Sequence, residues 1–395
     1  MENNVYFNNE DITIGYVCGV NPFEDRYSWS GLFYKIREAI ENAGFKVVWI
    51  RYSLSTPAIR LWENVRWRLY RLLGRKLILG GVHYLPEVMT YAYSVKRDEI
   101  FEKCDFLFFP GGAQISLFLK CDKPIIYYTD ATAHLMVDYY WKNCHPLSVK
   151  MACYLEKKAS QKASINIRAS KWAIHSVIND CNCNAKYSKV LEFGATIDEK
   201  DIKPSVAKYD GECLNVLFSG VDWERKGGDV AVEIVRLLRQ MGVNAYLNIV
   251  GIDNLPDYCQ KLDFIINHGF LNKNDIDSYN SYIHLYSNNH IFLLPTKAEC
   301  AGIVFSEASG FGLPAYTYAT GGTENYVLNG INGYALPSNA GAPEFANRIY
   351  EDISSSNYLS LRANAVKLYQ DKLSWNSWSN RFREIIKEYY SSSVL

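Results

Sequence analysis

No stretch of this sequence reaches the roughly 18 consecutive apolar residues that a membrane-crossing helix needs, so a helical spanning segment is not expected. The run Phe106-Leu-Phe-Phe-Pro110 has only the length of a buried strand. An excess of charge of either sign is also missing. Lys and Arg number 42 and Asp and Glu 42, which leaves no overall field to attract nucleic acid, and none is expected as a partner. Met1-Glu-Asn-Asn-Val lacks the basic and apolar blocks of a secretory signal. Internal repeats and low-complexity tracts are absent, which argues against a solenoid or a disordered linker protein. Closely spaced metal ligands are scarce as well. Cys181-Asn-Cys183 is the one tight cysteine pair, with no second pair or histidine at ligand spacing, so no metal is expected. Ten cysteines without secretory features predict free thiols in a reducing, cytoplasmic setting.

What is present fits a globular protein of two domains. A length of 395 residues, with 48 % hydrophobic and 21 % charged side chains, supports two cores of ordinary size. Thirty Tyr and nine Trp supply side chains that pack in a core or stack on sugar faces.

The segment from Pro295 to Gly333 carries the chemistry. Ile291-Phe-Leu-Leu-Pro295 reads as a buried parallel strand, and Glu299 follows in a loop. Gly302 then opens a helix that carries Glu307. A helix beginning at a glycine offers unpaired N–H groups and the positive end of a dipole, and lacks a Cβ that would hold an anion off. Carboxylates on either side of that point can accept hydrogen bonds from sugar and ribose hydroxyls around a diphosphate. Glu299 and Glu307, with Gly302-Ile303 between them and Gly312-Leu-Pro314, Thr320-Gly321-Gly322 and Asn332-Gly333 after them, resemble the donor-site signature of retaining GT-B glycosyltransferases of family 4.

The rest of the chain is consistent with that resemblance. Ile12–Cys18, a helix from Leu32 and the strand Phe45–Ile50 form a βαβ opening, with Ser30-Gly31 at the carboxyl end of the first strand. Ser30 there is suited to capping the helix, and the resemblance places Gly31 near the donor phosphate. Pro124–Tyr128 leads to Thr129-Asp130 and, one helical turn on, His134, where relatives carry His or His-Asp against the donor sugar. The resemblance therefore points to Asp130 and then to His134. Residues 196–212 have linker composition. Leu214–Ser219 reads as the first strand of the second half, followed by a loop Gly220–Gly228 that holds Arg225 and Lys226 beside two glycines. A planar fork and a point charge at a helix start make a diphosphate clamp. From Ile59 to Lys76 six basic residues and one acidic alternate with Leu61, Val65, Leu69, Leu72, Trp62 and Trp67, a pattern suited to packing on its own domain or to lying on anionic lipid.

The resemblance implies an α/β chain of GT-B type, with two Rossmann-like domains facing across a cleft. The expected divisions are 1–198 on the acceptor side, 199–374 for the nucleotide sugar, and 375–395 as a carboxyl-terminal helix returning to the first domain. It implies transfer of a hexose-type sugar, with retention, from a UDP- or GDP-sugar donor to a glycan or lipid-linked acceptor. No cofactor or metal is called for, because in this family the departing diphosphate itself is thought to take the acceptor proton. Glu299, Asp130, His134, Arg225 and Lys226 are the expected catalytic residues; Gly31, Arg225, Lys226, Gly302, Ile303 and Glu307 are the expected donor contacts. A relative donating no sugar, kept as a binding scaffold, would be expected to lose these groups. Ala301 stands where relatives often carry an aromatic residue two places after the first Glu.

Overall fold

The computed structural model describes residues 11–393, so the signal-peptide reading of the first five residues lies outside it. The described residues form two compact units, 11–191 with 379–393 and 192–378. Each is built on a six-stranded, all-parallel sheet.

The first sheet comprises β1 (Thr13–Cys18), β2 (Lys46–Arg51), β3 (Phe106–Pro110), β4 (Ile125–Thr129), β5 (Ile165–Arg168) and β6 (Ser188–Val190), in the order β2-β1-β3-β4-β5-β6. The central strands β3, β4 and β5 are buried along their whole length, as parallel strands covered on both faces must be. Val17, Ile50, Tyr91, Phe101, Leu107, Phe109, Ile115, Ile125 and Tyr127 form one continuous core on one side of the sheet. The terminal helix Trp375–Ser393 supplies this unit from Ser379 onward. Phe382 meets Phe45 and Phe108 edge-on at 5.6 and 5.9 Å, and Tyr389 and Tyr390 both close on Phe106. Ser379 Oγ donates to the carbonyl of Ala39 at 2.8 Å, and Arg383 Nε to that of Ala43 at 2.8 Å.

The second sheet comprises β7 (Leu214–Ser219), β8 (Ala245–Val250), β9 (Ile265–Asn267), β10 (Ile291–Leu294), β11 (Ala315–Tyr318) and β12 (Gly333–Leu336), in the order β12-β11-β10-β7-β8-β9. Read from the other edge, this is the 3-2-1-4-5-6 order of a dinucleotide-binding sheet. After β7 the chain turns toward β8, and after β10 toward β11, so the two loops diverge and leave a crevice at the carboxyl ends of neighbouring strands. Residues 192–198 pack with this unit: Phe193 N–H donates to Tyr326 Oη at 2.9 Å, and Trp375 Nε1–H donates to the Ala195 carbonyl at 2.6 Å. No helix among the described residues is long and apolar enough to cross a membrane.

Candidate functional site

The crevice between β7 and β10 gathers Arg225, Lys226 and Glu299. The expected open loop after β7 is instead a single helical turn, Trp223–Lys226, because Asp222 caps it: its Oδ1 accepts the Arg225 N–H at 3.0 Å. Gly227 ends this turn at φ 76° and begins the helix Gly228–Gln240. A Cβ at Gly227 would stand 2.0 Å from the Pro295 carbonyl oxygen, so only glycine allows the turn after β7 to sit against the end of β10. The contact is continued by backbone, since the Arg225 carbonyl accepts from Lys297 N–H at 2.8 Å.

Side chains complete the cluster. Arg225 Nη1 donates to the Ala298 carbonyl at 3.1 Å and lies 4.0 Å from Glu299 Oε2, while its Nε lies 3.4 Å from Asp222 Oδ2. Lys226 is buried and pairs directly with Glu299. The Glu299 carbonyl in turn accepts from Gly322 N–H at 2.9 Å, which ties the Gly321-Gly322 turn to the same loop. Two cations thus face one largely buried carboxylate, at a place where an anion can compete for both.

Gly302 precedes the helix Ile303–Gly310 with no side chain capping its first turn; the Phe305 and Ser306 N–H groups turn back onto the Gly302 carbonyl at 2.8 and 3.3 Å, which leaves those of Ile303 and Val304 as the donors at the helix start. A Cβ at Gly302 would collide with the Phe305 ring at 2.4 Å. Glu307, itself fully buried, projects from this helix into a nest of donors. Its Oε1 accepts from Thr196 Oγ1 at 2.7 Å, Thr196 N at 3.3 Å and Lys273 Nζ at 3.1 Å; its Oε2 accepts from Tyr282 Oη at 2.8 Å and Tyr286 Oη at 3.0 Å. Burial alone would raise the Glu307 pKa, but the Lys273 ammonium and these donors hold it below the ordinary carboxylate value. Burial alone would lower Lys273, and the charge of Glu307 raises it instead. Lys273, Thr196, Tyr282 and Tyr286 were not among the expected site residues. The i, i+4 spacing of Tyr282 and Tyr286 on the helix Ile276–Asn288 was the one local signal that they share a face. That helix is capped by Asp275, whose Oδ2 accepts from Ser278 N–H at 2.9 Å; Asp275-Ile276-Asp277 is the sole Asp-x-Asp of the chain, and its first carboxylate is engaged as a cap.

The remaining expected residues belong to the first unit. Gly31, not Ser30, directly precedes the helix Leu32–Asn42, and no side chain caps it. Trp29, Ser30 and Gly31 take three successive left-handed conformations, φ 50°, 57° and 83°, and a Cβ at Gly31 would meet the Arg26 carbonyl at 2.9 Å. Asp130 is half-buried just past the end of β4, accepting from Thr129 Oγ1 at 3.1 Å. His134 is also half-buried, its Nδ1 4.0 Å from Cys181 Sγ. Below them lies a group that the sequence did not reveal. Glu156 and Arg168 form a fully buried pair at 3.1 Å, with Tyr127 Oη and Gln114 Nε2 donating to the other carboxylate oxygen at 2.9 and 2.8 Å. All ten cysteines are thiols outside any disulfide.

Comparison with known proteins agrees with this geometry. Residues 198–367 match the family described as Glycosyl transferases group 1. An uncharacterized 41.2 kDa protein in the cps region of Klebsiella pneumoniae is 23 % identical over 296 residues, covering 73 % of this chain and 76 % of that one. Among solved structures, the sucrose-phosphate synthase of Thermosynechococcus elongatus superposes with a TM-score of 0.65 at 15 % identity, covering 96 % of this chain and all of that one (100 %). The Anabaena HepE protein, solved in complex with UDP and glucose, gives a TM-score of 0.60 at 15 % identity and covers 95 % of this chain and 99 % of its own. The fold is that of GT-B glycosyltransferases, two Rossmann-like domains.

Proposed function

We propose that this protein is a retaining, metal-independent glycosyltransferase of family 4. It moves a hexose-type sugar from a nucleoside diphosphate sugar, UDP- or GDP-linked, to a hydroxyl of a glycan or lipid-linked acceptor in the assembly of cell-surface polysaccharide. The observation that carries this reading is the joining of Arg225, Lys226 and Glu299 at the switch point of a 3-2-1-4-5-6 sheet, in the same unit as a glycine-started helix. The cps-region relative and the UDP-and-glucose complex of a protein of the same fold support the polysaccharide context and the donor class.

Breaking the anomeric bond leaves negative charge on the diphosphate, and preorganised cations are worth most where that charge develops. A diphosphate entering the crevice competes with Glu299 for Lys226 and for the guanidinium of Arg225. As it takes the ammonium, the Glu299 carboxylate is left to accept from sugar hydroxyls and to face the positive charge growing at the anomeric carbon. The departing phosphate oxygen, on the same face, takes the acceptor proton. Gly302 and Ile303 add backbone N–H donors. Gly31, Asp130 and His134 are assigned to the donor phosphate and sugar from the first unit.

Glu307 holds the ribose edge. With all five donors already on its carboxylate, it acts by fixing Lys273, Tyr282 and Tyr286, and a ribose hydroxyl reaches it by displacing one of them. The test is release of nucleoside diphosphate from a panel of UDP-, GDP- and ADP-sugars, with product mass, for the wild type and Lys226→Ala. Turnover of one donor class that drops in the variant is expected. No turnover of any donor by the wild type would overturn the enzyme in favour of a silent scaffold.

A further inference from the structure

The helix Pro57–Leu72 leaves most of its surface uncovered. Thr56 caps it, with Oγ1 accepting from Ile59 N–H at 3.2 Å, and Pro57 starts it. Ile59 is its one fully buried residue, at 2 % exposure. Arg66 tethers it to the rest of the unit, its Nε on the buried Glu87 at 2.6 Å, and Trp62 meets Tyr84 edge-on at 6.5 Å. The side facing away carries Arg60, Asn64, Arg68 and Arg71, spaced i, i+4, i+8 and i+11 as one stripe. Leu61 and Leu72 flank the stripe on one side and Trp67 on the other, exposed by 56 %, 79 % and 62 %.

The patch continues beyond the helix. Arg75 and Lys76 follow, both exposed, and Leu77 is held in a two-residue bridge to Cys144, with Leu77 N–H on the Asn143 carbonyl and His145 N–H on the Leu77 carbonyl, each at 2.9 Å. Leu77 is 44 % exposed, and Leu147, two residues past the bridge, is 67 % exposed. With Arg66 engaged by Glu87, five exposed cations (Arg60, Arg68, Arg71, Arg75 and Lys76) remain against a single carboxylate, Glu63, on residues 57–77.

We propose that this face docks on the surface of an anionic lipid bilayer. Single exposed leucines are ordinary, but large apolar side chains interleaved with arginines on one face are what an interfacial helix needs. The guanidinium groups reach the headgroup phosphates while Leu61, Trp67 and Leu72 enter the acyl boundary beside them. A nucleic acid would use the cations and leave the leucines idle. A second copy of the chain would bring like charges together. The inference does not depend on the donor chemistry, so either can fail alone.

Co-sedimentation with vesicles made of equal parts phosphatidylglycerol and phosphatidylcholine, compared with phosphatidylcholine alone, tests it. The wild type is expected to pellet with the anionic vesicles only. Each cation near such a surface contributes about fivefold to partitioning, so Arg68→Glu with Arg71→Glu should weaken binding by at least about 30-fold. Leu61→Ser with Trp67→Ser and Leu72→Ser should weaken it while leaving nucleotide-sugar turnover and the melting temperature unchanged, since these side chains support no core. Wild type remaining in the supernatant, or equal pelleting of all three proteins, would overturn the proposal. So would tight binding to single-stranded DNA that survives loss of the three apolar side chains, or self-association in sedimentation velocity that depends on Trp67.

Discussion

Replacing Lys273 by Met removes the cation that balances Glu307 and leaves a carboxylate at zero exposure with four neutral donors. Removing one partner of a fully buried pair costs about 3–5 kcal/mol. The Lys273 side chain is 34 % exposed, so water already takes part of its charge; halving the figure gives about 2 kcal/mol. For a unit of this size that corresponds to about 4–8 °C in its own calorimetric transition. The sign with pH is specific. In the wild type the Glu307 pKa is depressed, so its contribution is complete above the ordinary carboxylate value and is lost as pH falls through the lower folded value. Without Lys273 the effect of burial prevails and the folded pKa rises above the unfolded one. The variant therefore gains stability as pH falls, and its deficit is largest near pH 8 and narrows toward about pH 5. Lys273→Met combined with Glu307→Gln should recover most of the loss, because no buried charge remains. A deficit that is the same at both pH values, or one below about 0.5 kcal/mol, would refute the reasoning.

Three further outcomes follow from the same structure. Glu299→Gln, which keeps shape and removes the charge facing Lys226, should lower kcat by about 10²-fold and, because it leaves the buried Lys226 ammonium without its counter-charge, destabilise the second unit by about 2–3 kcal/mol; an unchanged kcat would remove Glu299 from the chemistry. Gly227→Ala should unfold the second unit or cost it well over about 2 kcal/mol, because its Cβ meets the Pro295 carbonyl, whereas Gly242→Ala, also left-handed at φ 90° but open around it, should cost only about 1 kcal/mol in denaturant titrations. Arg168→Met should destabilise the first unit by about 3–5 kcal/mol at neutral pH. Burial already raises Glu156, so its ionisation opposes folding as pH rises through its folded pKa, and the Arg168→Met loss should shrink in mildly acidic buffer; no pH dependence would count against a charge origin.

Several features of this protein were legible along the chain because their causes are local. An apolar run as short as Ile291–Leu294, closed by Pro295, reads as a buried strand, and the glycine at 302 reads as the start of the helix that carries Glu307. The pairing of Arg225 with Lys226 beside two glycines, and the spacing of Glu299 and Glu307, needed no distant residue to be seen. That Arg225 and Lys226 stand on a helical turn was less plain, since it depends on Asp222 capping a segment of only four residues.

What sequence order conceals is which groups meet once strands far apart are stacked in register. Lys226 reaches Glu299 across 73 residues because β7 and β10 lie side by side, and Glu307, on the helix that β10 feeds, meets Lys273 across 34 residues and Thr196 across 111. Hence the fold class and the two glutamates were written in local pattern, whereas the saturation of Glu307 and the buried Glu156–Arg168 pair were decided by tertiary structure. Charge compensation inside a protein is set by distance in space, and only the folded sheet brings those charges within reach.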